Sequence, residues 1–321
     1  MKLATYALAA GMLGLAGAAH AADTLTIGAI YLDAQGFYAG VRKGVQVEGA
    51  KQSKDLSIIE TNAQGDVAKE SSFIDTLVSA KVSAIILSAV SADGSVAAIR
   101  RASKAGIPVV CYNTCINPDD MKKYVAAYAV GDPFTFGEKI GGVAADYFIK
   151  AGNTAPKIGV LNCEFVEVCV QRRKGFEKAL GEKVPGYTIV SNQEGTILDK
   201  AISVGQNILS ANPDVNAFFG ESGGATLGAV KAVRNQGHVG KTVVFGSDMT
   251  TDIAQELIDN AVLKGEVDVS GQGIGKVALD AAVDAIKGKK AEGLVVPVPI
   301  DLYTAPDQAK AWLEAHQDGL P

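Results

Sequence analysis

Side chains able to grip a small molecule gather at a few places along this chain. Tyr31, Asp33, Gln35, Phe37 and Tyr38 follow one apolar run, and Tyr112, Asn113 and Thr114 follow another. The second half supplies Glu164 and Glu167, Gln171 and Arg172, then Ser222, Asp248 and Asp268. The set mixes aromatic rings with carboxylates, amides, hydroxyls and a guanidinium. Rings cover the apolar C–H face of a sugar or polyol, while the polar groups pair with its hydroxyls. In a water-excluded site each such bond discriminates, because an analogue lacking the hydroxyl leaves a buried group unpaired.

Other motifs suggest bond-making chemistry. Gly220-Glu221-Ser222-Gly223-Gly224 fits G-x-S-x-G, and Asp248 and His316 follow it in the order of an α/β-hydrolase. A secreted serine hydrolase using Ser222 is therefore the rival reading. Against it, Ser222 comes late in the chain and His316 lies in a polar terminal helix. Gly240-Lys241-Thr242 resembles the end of a phosphate loop, but it leads into a strand and Asn235 stands where Gly is required. Gly271-Gln272-Gly273-Ile274-Gly275 lacks the G-x-G-x-x-G spacing and reads better as a tight exit into a helix. No catalytic residue, cofactor or metal is expected.

The residues above sit where strands should end. Leu25 to Ile30 reads as a strand, Phe37 to Lys54 as a helix, Ser57 to Ile59 as a strand and Val67 to Ser79 as a helix. Ala84 to Leu87 is a continuous apolar run, as expected of a strand covered on both faces. A helix from Ser95 to Ala105, a strand through Val109-Val110, a strand within Tyr124 to Val130 and a helix from Phe136 to Ala151 follow. Late in the chain Glu266 to Val269 reads as a strand. This order predicts parallel sheets with helices on both faces.

The pattern then restarts. Ile27-Gly28 and Arg42-Lys43-Gly44 are matched by Ile158-Gly159 and Arg173-Lys174-Gly175, 131 residues on in both cases. Ala84 to Leu87 matches Ala217-Phe218-Phe219, and Val109-Val110 matches Val243-Val244. Four matches in one order predict two similarly built α/β lobes. Ligands of open α/β sheets sit beyond the carboxyl ends of the strands, so two facing lobes share one cleft.

The chain has 321 residues, 48% of them hydrophobic, which is enough for about two domains. A net charge of −5 and a pI near 5.3 exclude a basic nucleic-acid surface. Lys2, the apolar stretch Leu3 to Ala18 and Ala19-His20-Ala21 read as a cleaved signal peptide over residues 1–21, with export to an oxidising compartment.

Thr26-Ile27-Gly28 leading to Gly36-Phe37-Tyr38, Gly106-Ile107-Pro108-Val109-Val110, Asn212-Pro213-Asp214 and the run from Val243 to Asp248 complete a wider pattern. Together with the signal peptide, the chain resembles the ribose-type periplasmic sugar-binding proteins of ABC transporters over nearly its whole mature length. That resemblance implies a type I periplasmic binding fold, with two Rossmann-like lobes joined by three hinge crossings. The lobes would comprise 22–131 with 270–298, and 132–269 with 299–321. It implies a monomer in the periplasm that closes on a small sugar or polyol and docks on a membrane permease, or on a chemoreceptor. Phe37 and Tyr38 match the family's stacking pair and Asp248 its hydroxyl-binding acid, while Ser222 stands where Asn is frequent. Asn113, Thr114 and Arg172 join them as expected contacts, followed by Gln35, Glu164 and Asp268. The family's Asp-Arg pair is replaced by Asn113-Thr114, and its helix-opening Arg is displaced to Arg172, past Val170. These departures disfavour ribose itself and favour another neutral polyol or sugar.

The cysteines allow three pairings. Cys111 and Cys115 flank Asn113, and Cys163 and Cys169 flank the Glu164 to Val168 loop. The local pairs are favoured, because a bridge between lobes hinders opening. The spacings C-x3-C and C-x5-C are unlike the usual zinc knuckle, and free thiols remain an alternative.

Overall fold

The computed structural model describes residues 25–34, 36–52, 54–289 and 293–321. The expected signal peptide and Gln35 lie outside the described residues. The first half runs β1 (Leu25–Tyr31), α1 (Phe37–Gln52), β2 (Leu56–Asn62), α2 (Val67–Ser79), β3 (Ala84–Leu87), α3 (Val96–Lys104), β4 (Val109–Tyr112), α4 (Pro118–Tyr124) and β5 (Ala127–Val130). The second runs α5 (Pro133–Lys150), β6 (Lys157–Asn162), α6 (Glu167–Lys183), β7 (Thr188–Glu194), α7 (Leu198–Ala211), β8 (Ala217–Gly220), α8 (Gly223–Asn235), β9 (Val243–Ser247), α9 (Thr251–Asp259) and β10 (Leu263–Asp268). The chain ends with α10 (Gly271–Ile286), β11 (Val295–Pro297), β12 (Asp301–Tyr303) and α11 (Pro306–Ala315).

These elements form two sheets of the same plan, ordered β2-β1-β3-β4-β5-β11 and β7-β6-β8-β9-β10-β12. Every pairing is parallel except that of β12 with β10. Both faces of each sheet are covered, so β3, β4, β8 and β9 are buried at every position, as their continuous apolar runs require. The central order 2-1-3-4-5 reverses between the first and third strands of each lobe, which opens a crevice at the strand ends.

The repeated Arg-Lys-Gly has a packing cause. A Cβ on Gly44 would meet the Gln272 carbonyl oxygen at 2.1 Å, and one on Gly175 would meet that of Phe134 at 2.0 Å. Each glycine lets one helix lie directly on another's backbone: α1 on α10 in the first lobe, α6 on α5 in the second.

The chain passes between the sheets after β5, after β10 and after β11. These three segments touch: a Cβ on Gly131 would lie 2.5 Å from Val269 and 3.1 Å from Ile300. The expected assignment of 299–321 to one lobe needs correction at its end. Beyond α11 the chain returns to the first lobe, where Gln272 N donates to Pro321 O at 2.9 Å and Lys43 lies 3.9 Å from Asp318. Gly40 and Gly271 leave room for that carbonyl at the openings of α1 and α10. The helix α4 was not anticipated. None of its residues is buried, so it carries no apolar period, and it rests on the Asn117 cap and Pro118 in its first turn. No helix among the described residues is long and apolar enough to cross a membrane.

Candidate functional site

The first lobe presents a chain of neutral hydrogen-bonding groups. Asn113 Nδ2 donates to the Tyr38 hydroxyl at 3.2 Å, which lies 3.3 Å from Ser88 Oγ. Ser88 Oγ is 2.7 Å from Thr114 Oγ1, which donates to the Ala89 carbonyl at 2.7 Å. Phe37 meets Tyr38 edge to face at 5.2 Å, with both rings half-buried. Asn113 lies in the left-handed region (φ 55°), which its short polar side chain tolerates. Tyr128 fixes it by donating to its carbonyl at 2.7 Å, and the Cys111–Cys115 disulfide closes the loop around it.

The second lobe presents an ion pair. Arg172 Nη1 donates to Asp248 Oδ1 at 3.1 Å and to the Glu221 carbonyl at 2.7 Å, and the guanidinium lies 3.9 Å over the Phe136 ring. Asp248 Oδ2 accepts from Gly223 N at 3.3 Å. Asp248 also adopts a left-handed backbone (φ 66°). Arg172 shares a buried helix face with Cys169 and Phe176, which explains why the guanidinium reaches the site from a position displaced along the helix.

The two halves sense each other. Burial pushes the Tyr38 hydroxyl's pKa up, its bonds to Ser88 and Asn113 oppose this, and across the lobes Asp248 adds to the rise while Arg172 opposes it. Burial favours the protonated form of other acids beneath the site. Asp268 is pushed up to about 7 and Glu221 to about 8, in each case chiefly by loss of solvent, and Glu266 is raised for the same reason. The paired charges of Arg172 and Asp248 cancel, which suits an uncharged guest.

Tyr38, Asn113, Arg172 and Asp248 thus come together, with Phe37 beside them. Four expected contacts have other employment. Asp268 is buried behind Asp248 and accepts from Met249 N at 3.0 Å. Glu164 pairs with Arg173 and accepts from Asn192. Ser222 caps α8, accepting from Ala225 N at 3.3 Å. Thr114 is buried, and its hydroxyl is taken by the Ala89 carbonyl. The reading missed Ser88, Phe136 and Glu221; Ser88 follows an apolar strand and was legible as a strand-end residue.

The hydrolase rival lacks its base. His238 sits 3.3 Å from Thr242 Oγ1 and His316 stacks on Trp312 at 4.4 Å, so among the described residues neither serves Ser222. The cysteines form the two local disulfides, Cys111–Cys115 and Cys163–Cys169, which removes the thiolates a zinc site needs.

A model of the periplasmic binding protein domain matches residues 29–290. The ABC transporter periplasmic-binding protein YphF of Escherichia coli (strain K12) is 60% identical over 316 residues, covering 98% of this chain and 96% of its own. The ribose import binding protein RbsB of Bacillus subtilis (strain 168) is 26% identical, over 84% of this chain and 83% of its own. A solute-binding protein structure from Actinobacillus succinogenes 130z with bound D-allose superposes with a TM-score of 0.81 at 23% identity, covering 89% of this chain and 99% of that one. These matches, with two α/β lobes of one plan, place the chain in the periplasmic binding protein family, whose members bind solutes without transforming them.

Proposed function

We propose that the protein captures a small uncharged sugar or polyol between its lobes in the periplasm and delivers it, by hinge closure, to an ABC permease. The observation that carries this reading is the self-neutralising Arg172–Asp248 pair facing Tyr38 and Asn113 from the opposite lobe. Asp248 accepts from a ligand hydroxyl, Arg172 donates to a ring or hydroxyl oxygen, and the Phe37–Tyr38 rings cover the C–H face. Gripping both lobes at once favours closure, since only the closed state makes every contact. The hinge lies where Gly131, Val269 and Ile300 meet, dividing 22–131 with 270–298 from 132–269 with 299–321 apart from the returning tail. Related proteins support the ligand class: solved relatives hold D-allose, myo-inositol and glycerol. Asn113-Thr114 in place of an Asp-Arg pair argues against ribose. The same closed form can dock on a chemoreceptor, but the likeness to a protein named for an ABC transporter favours the permease.

The test is a thermal-shift screen with D-ribose, D-allose, D-tagatose, myo-inositol and glycerol, followed by calorimetry. A ligand selective for the native form raises the melting temperature by mass action. Asp248→Ala removes one charge and leaves buried Arg172 unpaired, so affinity should fall at least about a hundredfold, about 3 kcal/mol. Unchanged affinity removes Asp248 from the site, and tighter binding of sugar acids than of neutral sugars overturns the charge argument.

A further inference from the structure

Glu221 is a buried acid with no assigned task, and it joins several parts of the site. It follows β8, is fully buried, and no N–H or O–H among the described residues donates to its Oε1. Its Oε2 accepts from Cys163 N at 3.0 Å, at the opening of the Cys163–Cys169 loop, and its carbonyl accepts from Arg172 at 2.7 Å. The Glu164 carboxylate lies within hydrogen-bonding reach of it and is itself held by Arg173 and Asn192. Two carboxyls in contact, one of them fully buried, do not both ionise at modest cost, so one keeps a proton. Glu164 has Arg173 to hold its charge. Glu221 binds its guanidinium through the carbonyl and leaves its carboxyl without a cation.

We propose that Glu221 is a positioning residue for ligand capture: as a neutral acid it donates to Glu164 and, through Cys163 N, sets the disulfide loop beside the guanidinium that its own carbonyl holds. This rests on the reading that Arg172 and Asp248 grip the ligand. The groups facing Glu221 are Glu164 from the β6–α6 loop and Arg172 and Arg173 from α6, with Asp248 beyond Arg172. Burial, lessened by the Cys163 N–H and reinforced by Glu164, keeps the proton in place to about pH 8. Above that pH an ionised Glu221 repels Glu164 and competes with Asp248 for Arg172, and affinity falls.

The test compares wild type, Glu221→Gln and Glu221→Ala by calorimetry from pH 6 to 9.5, using the tightest binder among the five compounds above. Gln keeps the acceptor for Cys163 and a donor for Glu164 but cannot ionise. Wild type should weaken about tenfold at high pH, Glu221→Gln should stay within about threefold of its neutral-pH value, and Glu221→Ala should weaken at least about tenfold throughout. A Gln variant that behaves like Ala, or that follows the wild-type pH profile, overturns the assignment. Melting curves of the unliganded proteins over the same range supply an arm that needs no ligand. Wild type should lose stability relative to Glu221→Gln as pH rises, and parallel curves overturn the proposal. Failure of wild type to bind any of the five strikes at the functional reading and leaves Glu221 to be judged by the melting arm.

Discussion

Replacing Gly175 with alanine tests whether the repeated glycine marks a backbone contact on which the site depends. The added Cβ would stand 2.0 Å from Phe134 O and 2.8 Å from Glu138 N, both main-chain atoms that cannot swing aside. Ordinary contact begins near 3.4 Å, so α5 and α6 must part locally by roughly 1.4 Å. Overpacking of this kind costs about 1–3 kcal/mol, offset by about 1 kcal/mol because alanine is the better helix former. The net loss, up to about 2 kcal/mol, lowers the melting temperature by up to about 3 °C in a protein of this size. Arg172 lies one turn before Gly175, and Gly137 seats against its carbonyl, so the shift should also weaken ligand affinity. Gly142 in α5 serves as control, since nothing lies within 4 Å of its added Cβ and alanine there should leave stability unchanged or raise it. Calorimetric melting with ligand titration reads both effects. A Gly175→Ala protein as stable as Gly142→Ala refutes the reasoning.

Asp268→Asn should remove a pH dependence. Asp268 holds its proton to about pH 7 in the folded chain but only to about 3.8 when unfolded, so the folded state binds more protons across that interval and wild-type stability declines as pH rises through it. Urea unfolding at pH 5 and pH 7.5 should show a smaller decline for Asp268→Asn, which keeps the acceptor for Met249; equal declines contradict the assignment. Replacing Cys111 and Cys115 with serine should cost about 2 kcal/mol on the chain-entropy model and weaken binding, because Asn113 loses its closed loop; unfolding and calorimetry check both. A fluorophosphonate probe should leave Ser222 unlabelled, as read by mass spectrometry of the intact protein.

Much of this architecture was legible because burial leaves a period in the sequence. The continuous apolar runs at Ala84 to Leu87 and Ala217 to Phe219 marked central strands, and the matched Arg-Lys-Gly triplets marked two lobes. Asn113 and Asp248 were legible as strand-end residues. Glu221 was not, because its proposed role comes from its burial and its contact with Cys163 N, and within its motif the serine drew attention to nucleophilic chemistry. Asp268 was read one layer too shallow: it shares a strand face with Glu266, and that face turns into the lobe, where both are buried. The returning tail left no signal at all, since a few hydrogen bonds to main-chain carbonyls ask little of residue type.

The backbone at Asn113 and Asp248 restricts how this receptor can drift toward new guests. Both positions hold a twist that branched and bulky residues resist and that Asn, Asp and Gly accept. Exchange between amide and acid is therefore the inexpensive substitution on either jaw. It changes polarity while leaving the main-chain path intact, so, with the ligand contacts proposed above, descendants of this receptor can retune their preference among hydroxylated cargoes without rebuilding the loops that carry these two side chains.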